Sequence, residues 1–220
     1  MPDSMTAITA TPLEPNRAYY EAHATDYCKR TASLDLKALY EPFLNQLPLG
    51  SHILDAGCGS GRDGAAFVSR GYRVTAIDAS PAMVQAARER GLDGRLVVFQ
   101  EMEFDACFDG IWACASLLHV PHAKIADVLR RFSRALKPNG VLYASLKEGK
   151  GERIAEDGRF FSYFSLDEFV TSLTQDGLFQ ILRAWKSDDP DSSGGISPWL
   201  NFLARKNGRV ATKNMAPGGR

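Results

Sequence analysis

The stretch ILDAGCGSGRDG, residues 53–64, carries two glycine patterns at once. Read from Gly57 it is G-x-G-x-G. Read from Gly59 it is G-x-G-x-x-G, the spacing of loops that cradle a pyrophosphate at a helix N-terminus. Both readings need glycine because backbone must approach a ligand closely. The residue that separates them is Asp55, at the end of the apolar run before the loop. A fixed carboxylate repels a pyrophosphate and attracts a sulfonium or ammonium group.

Working outward, strands and helices alternate. SHILDA (51–56) is a short buried strand, GRDGAAFVSRG a helix stopped by Gly71, and YRVTAID (72–78) a second strand. SPAMVQAARERG is a helix with Ser80 as N-cap, Pro81 in the first turn and Gly91 at its end. RLVVFQ (95–100) and FDGIWACAS (108–116) are strands three and four. HAKIADVLRRFSRALKPNG (122–140) is an amphipathic helix with Ile125, Val128, Leu129, Phe132 and Leu136 on one face, and GVLYASLK is strand five. Ser165 and Glu168 form a capping box for a last helix. LFQILRAWK and SPWLNFLAR, joined by the breaker-rich SDDPDSSGG, read as an antiparallel hairpin. The expected fold is α/β: a doubly wound, mostly parallel seven-stranded sheet with a C-terminal antiparallel hairpin and helices on both faces. Ligands in such sheets bind beyond the carboxyl ends of the strands, where the strand order reverses.

Residues 1–15 are expected to be disordered and residues 206–220 to form a flexible basic tail. Residues 16–205 form one domain, with 16–50 as an N-terminal helical lid and 148–164 as a flap. The chain has 220 residues with 26 basic and 26 acidic side chains, so its formal charge is zero. That balance argues against a broad grip on nucleic acid or an anionic membrane. No apolar run approaches the roughly 20 residues a membrane helix needs. The N-terminus lacks the basic and apolar regions of a signal peptide. The cysteines, Cys28, Cys58, Cys107 and Cys114, have no C-x-x-C spacing and read as reduced thiols in a cytoplasmic protein.

Strand two ends in Asp78, where a carboxylate can accept hydrogen bonds from both hydroxyls of a ribose. His119, in LLHVPH after strand four, is a candidate general base, or else a turn residue fixing the next helix. His122 lies three residues on, but no third metal ligand accompanies the pair, so no metal is expected. In the flap, Arg159, Phe160, Phe161 and Tyr163 would shape a small substrate site or form a satellite core.

Four segments in order, ILDAGCGSGRDG, VTAIDAS, FDGIWACASLLHVP and LKPNGVLYASLK, together resemble class I S-adenosylmethionine-dependent methyltransferases. The run GSGRDGAAFVSRGYRVTAIDAS looks most like the small-molecule branch that includes tellurite-resistance and thiopurine methyltransferases. The resemblance implies S-adenosylmethionine as cofactor and S-adenosylhomocysteine as product. It implies that Asp55, Gly57 and Gly59 line the methionine part and that Gly61 and Gly64 allow the turn and its helix packing. Asp78 would hold the ribose, and Ala79 and Met83 would flank the adenine. Gln100, Glu101 and Met102 would lie at the adenine edge, and the backbone of Cys114 and Ala115 at the methionine end. Arg62 would pair with the cofactor carboxylate, or else be an exposed helix-start arginine. In RAYYEAHATDYCKRT, Tyr19 and Tyr27 would touch the cofactor, or else pack a helix on the domain.

The function expected is methyl transfer to a small-molecule acceptor by direct displacement, in a monomer or homodimer. Three alternatives stand beside it: an RNA or protein methyltransferase using the basic tail, a non-catalytic binder of the same cofactor, and a nicotinamide oxidoreductase. Asp55 speaks against the last. The sequence CASLL after strand four lacks the Asn/Asp-Pro-Pro-aromatic motif of enzymes that methylate base amino groups.

Overall fold

A computed structural model describes residues 13–190 and 196–208. Five strands run parallel: β1 (His52–Ala56), β2 (Arg73–Asp78), β3 (Asp93–Leu96), β4 (Phe108–Ala113) and β5 (Leu136–Lys147). A two-stranded flap, β6 (Glu152–Ile154) and β7 (Phe160–Ser162), follows β5. The hairpin β8 (Phe179–Pro190) and β9 (Ile196–Lys206) then completes the sheet, with β9 antiparallel to β5. The strand order is β3-β2-β1-β4-β5-β9-β8. It reverses between β1 and β4, which opens a crevice above the glycine loop.

Helices cover both faces. On one side, α6 (His122–Ala135) and α7 (Leu166–Thr174) bury Val128, Leu129, Phe132, Phe169 and Leu173 against the sheet. On the other, α3 (Lys37–Leu44) and α4 (Arg62–Val68) pack Tyr40, Phe43 and Phe67 around Trp112, whose ring stacks on Tyr143 at 3.9 Å. Helix α5 (Pro81–Glu89) starts where Ser80 Oγ accepts the Met83 amide, and α7 starts at the full Ser165–Glu168 capping box. Each cap is worth about 1 kcal/mol.

Several expected boundaries move, each for a physical reason. Helix α6 ends at Ala135 rather than near residue 140, because Pro138 disfavours helical backbone at Lys137. Leu136 is already extended, with its Cα opposite Phe108, and the ladder bulges before Gly110 meets Val141. Strand β3 stops at Leu96, where its partner β2 ends at Asp78, and Phe99–Glu101 coil into a single 3-10 turn.

The N-terminal segment forms α1 (Leu13–Ala22) and α2 (Ala24–Thr31), broken at His23. Helix α1 therefore begins three residues before the expected boundary, while residues 1–12 of that segment lie outside the described residues. The expected lid divides: α1 and α2 lie over the crevice, whereas α3 buries Tyr40 and Phe43 in the core. Lys206 closes β9, and residues 209–220 of the basic tail are outside the described residues. Among the described residues no helix is long and apolar enough to cross a membrane. All four cysteines are free.

Candidate active site

The glycine loop is held almost entirely by the protein itself. The Gly57 and Cys58 amides both donate to the Ile77 carbonyl at 2.9 Å, and the Gly61 amide donates to the Cys58 carbonyl. The Gly59 amide donates to Asp78 Oδ2 at 2.9 Å, and the Gly64 amide to Asp55 Oδ2 at 3.0 Å. Gly57 has φ 76°, and a Cβ there would sit 2.4 Å from Ser116 Cβ, so only glycine fits. A Cβ at Gly61, also at positive φ, would press on the Ala87 backbone at 2.9 Å.

Asp55 does not face the crevice. It is buried behind the loop and caps the third residue of α4. Burial, reinforced by nearby Asp63, pushes its carboxyl well above the usual carboxylate range. The sequence reading put this charge beside the ligand, and the structure puts it under the loop. The separation of ligands rests instead on the amides: those of Gly57, Cys58, Gly59, Gly61 and Gly64 are already bonded to protein acceptors, which leaves fewer donors for a pyrophosphate.

Above the loop lies a cavity of about 1090 Å³. That is at the upper end for small-molecule sites and has room for two ligands side by side. Of the expected site residues it brings together Tyr27, Gly57, Gly59, Arg62, Asp78, Ala79, Met83, Gln100, Glu101, Cys114, Ala115, His119, Arg159 and Phe161.

Asp78 sits in its wall. Oδ2 accepts the Gly59 amide and Oδ1 the Ser80 amide, at 2.9 Å each, and burial raises its carboxyl. The Tyr27 ring lies against Gly59, 3.4 Å from where a Cβ would be. Arg62 donates to Asp63 at 2.6 Å and to the Thr31 carbonyl at 3.2 Å, which ties α2 to the loop. Ala115 holds a left-handed backbone (φ 51°), and its amide donates to Ser145 Oγ at 2.9 Å.

Four other expected site residues stand behind the wall. Tyr19 stacks on His23. Met102 is buried in the core beneath α6, and its carbonyl accepts from Arg131. Phe160 is buried and reaches the site through its backbone alone. Tyr163 packs against Gly149 and under Arg153.

His119 is fully engaged. Its Nδ1 lies 2.9 Å from the Phe160 carbonyl, which can only accept, so Nδ1 carries the proton. Its Nε2, 2.9 Å from the Tyr20 hydroxyl, is then the acceptor. Burial lowers the imidazole to about 4, so it stays neutral near pH 7. The sequence places Tyr20 with Tyr19 and Tyr27 near helical spacing but gives only the other two a role at the cofactor; Tyr20 is i,i+7 from Tyr27, a spacing that puts both rings on one helical face. The Arg159 guanidinium faces the Tyr20 hydroxyl and is paired with Asp157 at 2.6 Å. A second tie joins lid to flap: Asn16 Nδ2 donates to the Phe160 carbonyl at 3.2 Å, and its Oδ1 accepts the Phe160 amide at 2.7 Å. Asn16 gave no signal in the sequence, since a buried asparagine on a short helix has no pattern to mark it.

Comparison with known proteins bears on residues 53–140, which match the family described as "Methyltransferase domain". The chain is 34% identical over 185 residues to 27-O-demethylrifamycin SV methyltransferase of Amycolatopsis mediterranei, a match spanning 73% of this chain and 63% of that protein. It is 34% identical over 104 residues to ubiquinone biosynthesis O-methyltransferase of Xanthomonas oryzae pv. oryzae, spanning 44% of this chain and 43% of that one. The chain thus covers less than half the length of that relative. Among solved structures, the Burkholderia thailandensis 1,6-didemethyltoxoflavin-N1-methyltransferase, with bound 1,6-didemethyltoxoflavin and S-adenosylhomocysteine, is similar over 93% of this chain and 94% of its own. Its TM-score is 0.74 at 25% identity.

Proposed function

We propose, from the premise that residues 53–140 are a methyltransferase domain of the class I S-adenosylmethionine-dependent family, that this protein transfers a methyl group from that cofactor to a small-molecule acceptor. The observation that carries the reading is the loop: five of its amides are bonded within the protein, while the Asp78 carboxylate stands in the cavity wall. That arrangement fits a nucleoside with no diphosphate. The size of the cavity fits it too.

Asp78 would hold the ribose, Ala79, Met83 and Glu101 the adenine, and Tyr27, Gly57, Gly59, Arg62, Cys114 and Ala115 the methionine end. The bound cofactor supplies a methyl carbon already activated by sulfonium, so the protein's task is alignment and exclusion of water. The lid performs it through the Asn16–Phe160 bonds to the flap and the Tyr20–His119 bond to the turn after β4. Asp55 serves at a distance by capping α4. The finer placement near the tellurite-resistance and thiopurine branch is supported by residues 59–80 alone, and the acceptor is better sought among small molecules in general.

S-adenosylhomocysteine at about a hundred times its Kd should raise Tm by roughly 5–10 °C, and NAD should leave it unchanged. Stabilisation by NAD alone would overturn the proposal. Within it, His119 acts as a positioning residue through Tyr20. Tyr20→Phe should slow turnover about tenfold, the worth of one hydrogen bond, and His119→Gln, which removes the acceptor for the Tyr20 hydroxyl while offering a donor to the Phe160 carbonyl, should do the same. The double variant should lose no more than either single change, with S-adenosylhomocysteine affinity unaltered. Additive losses would show that the two side chains act separately.

A further inference from the structure

The cations around the cavity are not equivalent. Arg17 is paired with Glu21, Arg62 with Asp63 and Arg159 with Asp157. Arg30 and Lys124 are exposed. Lys147 is half-buried in the wall and has neither an ion pair nor a hydrogen bond among the described residues. Its Nζ lies 5.9 Å from the Phe161 ring centroid and 5.8 Å from that of Trp199. The acid that follows it in the chain, Glu148, is committed to Lys186 at 2.6 Å. A half-buried ammonium held only by ring faces lacks the anion that would offset its lost hydration.

The sheet explains where this charge points. Ser145 pairs with Asn201, and Lys147 with Trp199, across β5 and β9. Ser145 and Lys147 are two residues apart and so share one face, and all four line the cavity. Ser145 holds the Ala115 amide, at the methionine end of the proposed cofactor position. Lys147, Phe161 and Trp199 therefore belong to the acceptor's share of the space. The other polar groups near it cannot take a proton readily. Both nitrogens of His119 are bonded, and the Tyr20 hydroxyl donates to His119. Arg159 already has its carboxylate.

We propose that the acceptor is a planar, conjugated molecule whose acidic hydroxyl binds as its oxyanion against Lys147, with the ring system between Phe161 and Trp199. The inference rests on the methyl-transfer reading above. In the step it implies, a lone pair of the acceptor oxyanion forms the new O–C bond. The S–C bond breaks with its electrons going to sulfur, and sulfonium and oxyanion become neutral thioether and neutral ether. The hydroxyl's proton has already passed to solvent when the acceptor binds as its oxyanion, so none is released in the transfer step and no side chain has to act as base there.

The test uses three probes with one ring: 7-hydroxycoumarin, 7-aminocoumarin and 7-methoxycoumarin, titrated into the full chain loaded with S-adenosylhomocysteine. Bound 7-hydroxycoumarin should show the excitation spectrum of its anion at pH values where the free dye is still neutral. It should bind about tenfold or more tightly than the other two. Lys147→Met should remove that advantage and return the dye's titration to its position in water, while Lys147→Arg should keep most of it. S-adenosylhomocysteine affinity, measured in parallel, should be unchanged in both variants and reports their folding. Equal binding of the three probes, no uptake of any of them, or an unshifted titration in the wild type would overturn the acceptor assignment. Failure to bind S-adenosylhomocysteine would instead remove the methyl-transfer reading on which it rests.

Discussion

Asp63→Ala should lower Tm by about 10 °C, because it strips the acceptor from three donors at once. The Asp63 carboxylate is buried and takes hydrogen bonds from Tyr40 Oη at 2.7 Å, Trp112 Nε1 at 2.8 Å and Arg62 Nε at 2.6 Å. Removing one side of a buried, hydrogen-bonded charge pair costs about 3–5 kcal/mol, since the remaining groups stay buried without partners. In a chain of this size each kcal/mol moves Tm by roughly 2–4 °C. The damage would reach the cavity as well, because Arg62 also holds the Thr31 carbonyl and with it the end of α2. Asp63→Asn keeps one acceptor oxygen and should fall between wild type and the alanine variant. Thermal unfolding followed by circular dichroism measures both. A drop below about 3 °C for the alanine variant would mean that solvent or rearranged side chains satisfy the three donors.

Asp78→Asn should weaken S-adenosylhomocysteine binding about a hundredfold, with a smaller loss of stability in the unliganded fold, where the side chain gives up one backbone donor but no longer buries a charge. The carboxylate organises the loop by accepting two amides, from Gly59 and Ser80, and on the proposed reading it also accepts ribose hydroxyls. Asparagine keeps one acceptor and turns an NH₂ toward a group that can only donate. Losing two hydrogen bonds to a charged group accounts for about 3 kcal/mol, or two powers of ten in affinity.

The free protein is affected differently. Burial raises the Asp78 carboxyl, so its ionisation opposes folding as pH rises through that value. An uncharged amide escapes that cost. For the same reason, wild-type affinity should fall as pH drops and Asp78 takes up a proton, and the asparagine variant should lack this dependence. Calorimetric titration across pH tests both statements. Normal affinity in Asp78→Asn would refute the ribose assignment.

Much of the sheet was legible because its signals are local. The five parallel strands, the Ser80 and Ser165 caps and the closing hairpin each follow from short-range patterning, and all appear in the structure. Errors gathered where a distant partner intervened. Strand β3 ends where β2 ends, and the lid divides because Tyr40 and Phe43 find a core against Trp112.

The sequence by itself determined which residue types meet at the end of the first strand, where glycine was indispensable, and that the sheet would reverse its order there. Tertiary structure alone decided which way each polar group faces. Asp55 turned out to be a helix cap beneath the loop, His119 a bonded partner of Tyr20, and Lys147 a half-buried cation with no carboxylate partner among the described residues. The reason is range. Strand and helix periodicity are set within a few residues. Burial of a charge and its hydrogen-bond partner are set by side chains such as Tyr20 and His119, 99 positions apart, which meet only once the chain has folded.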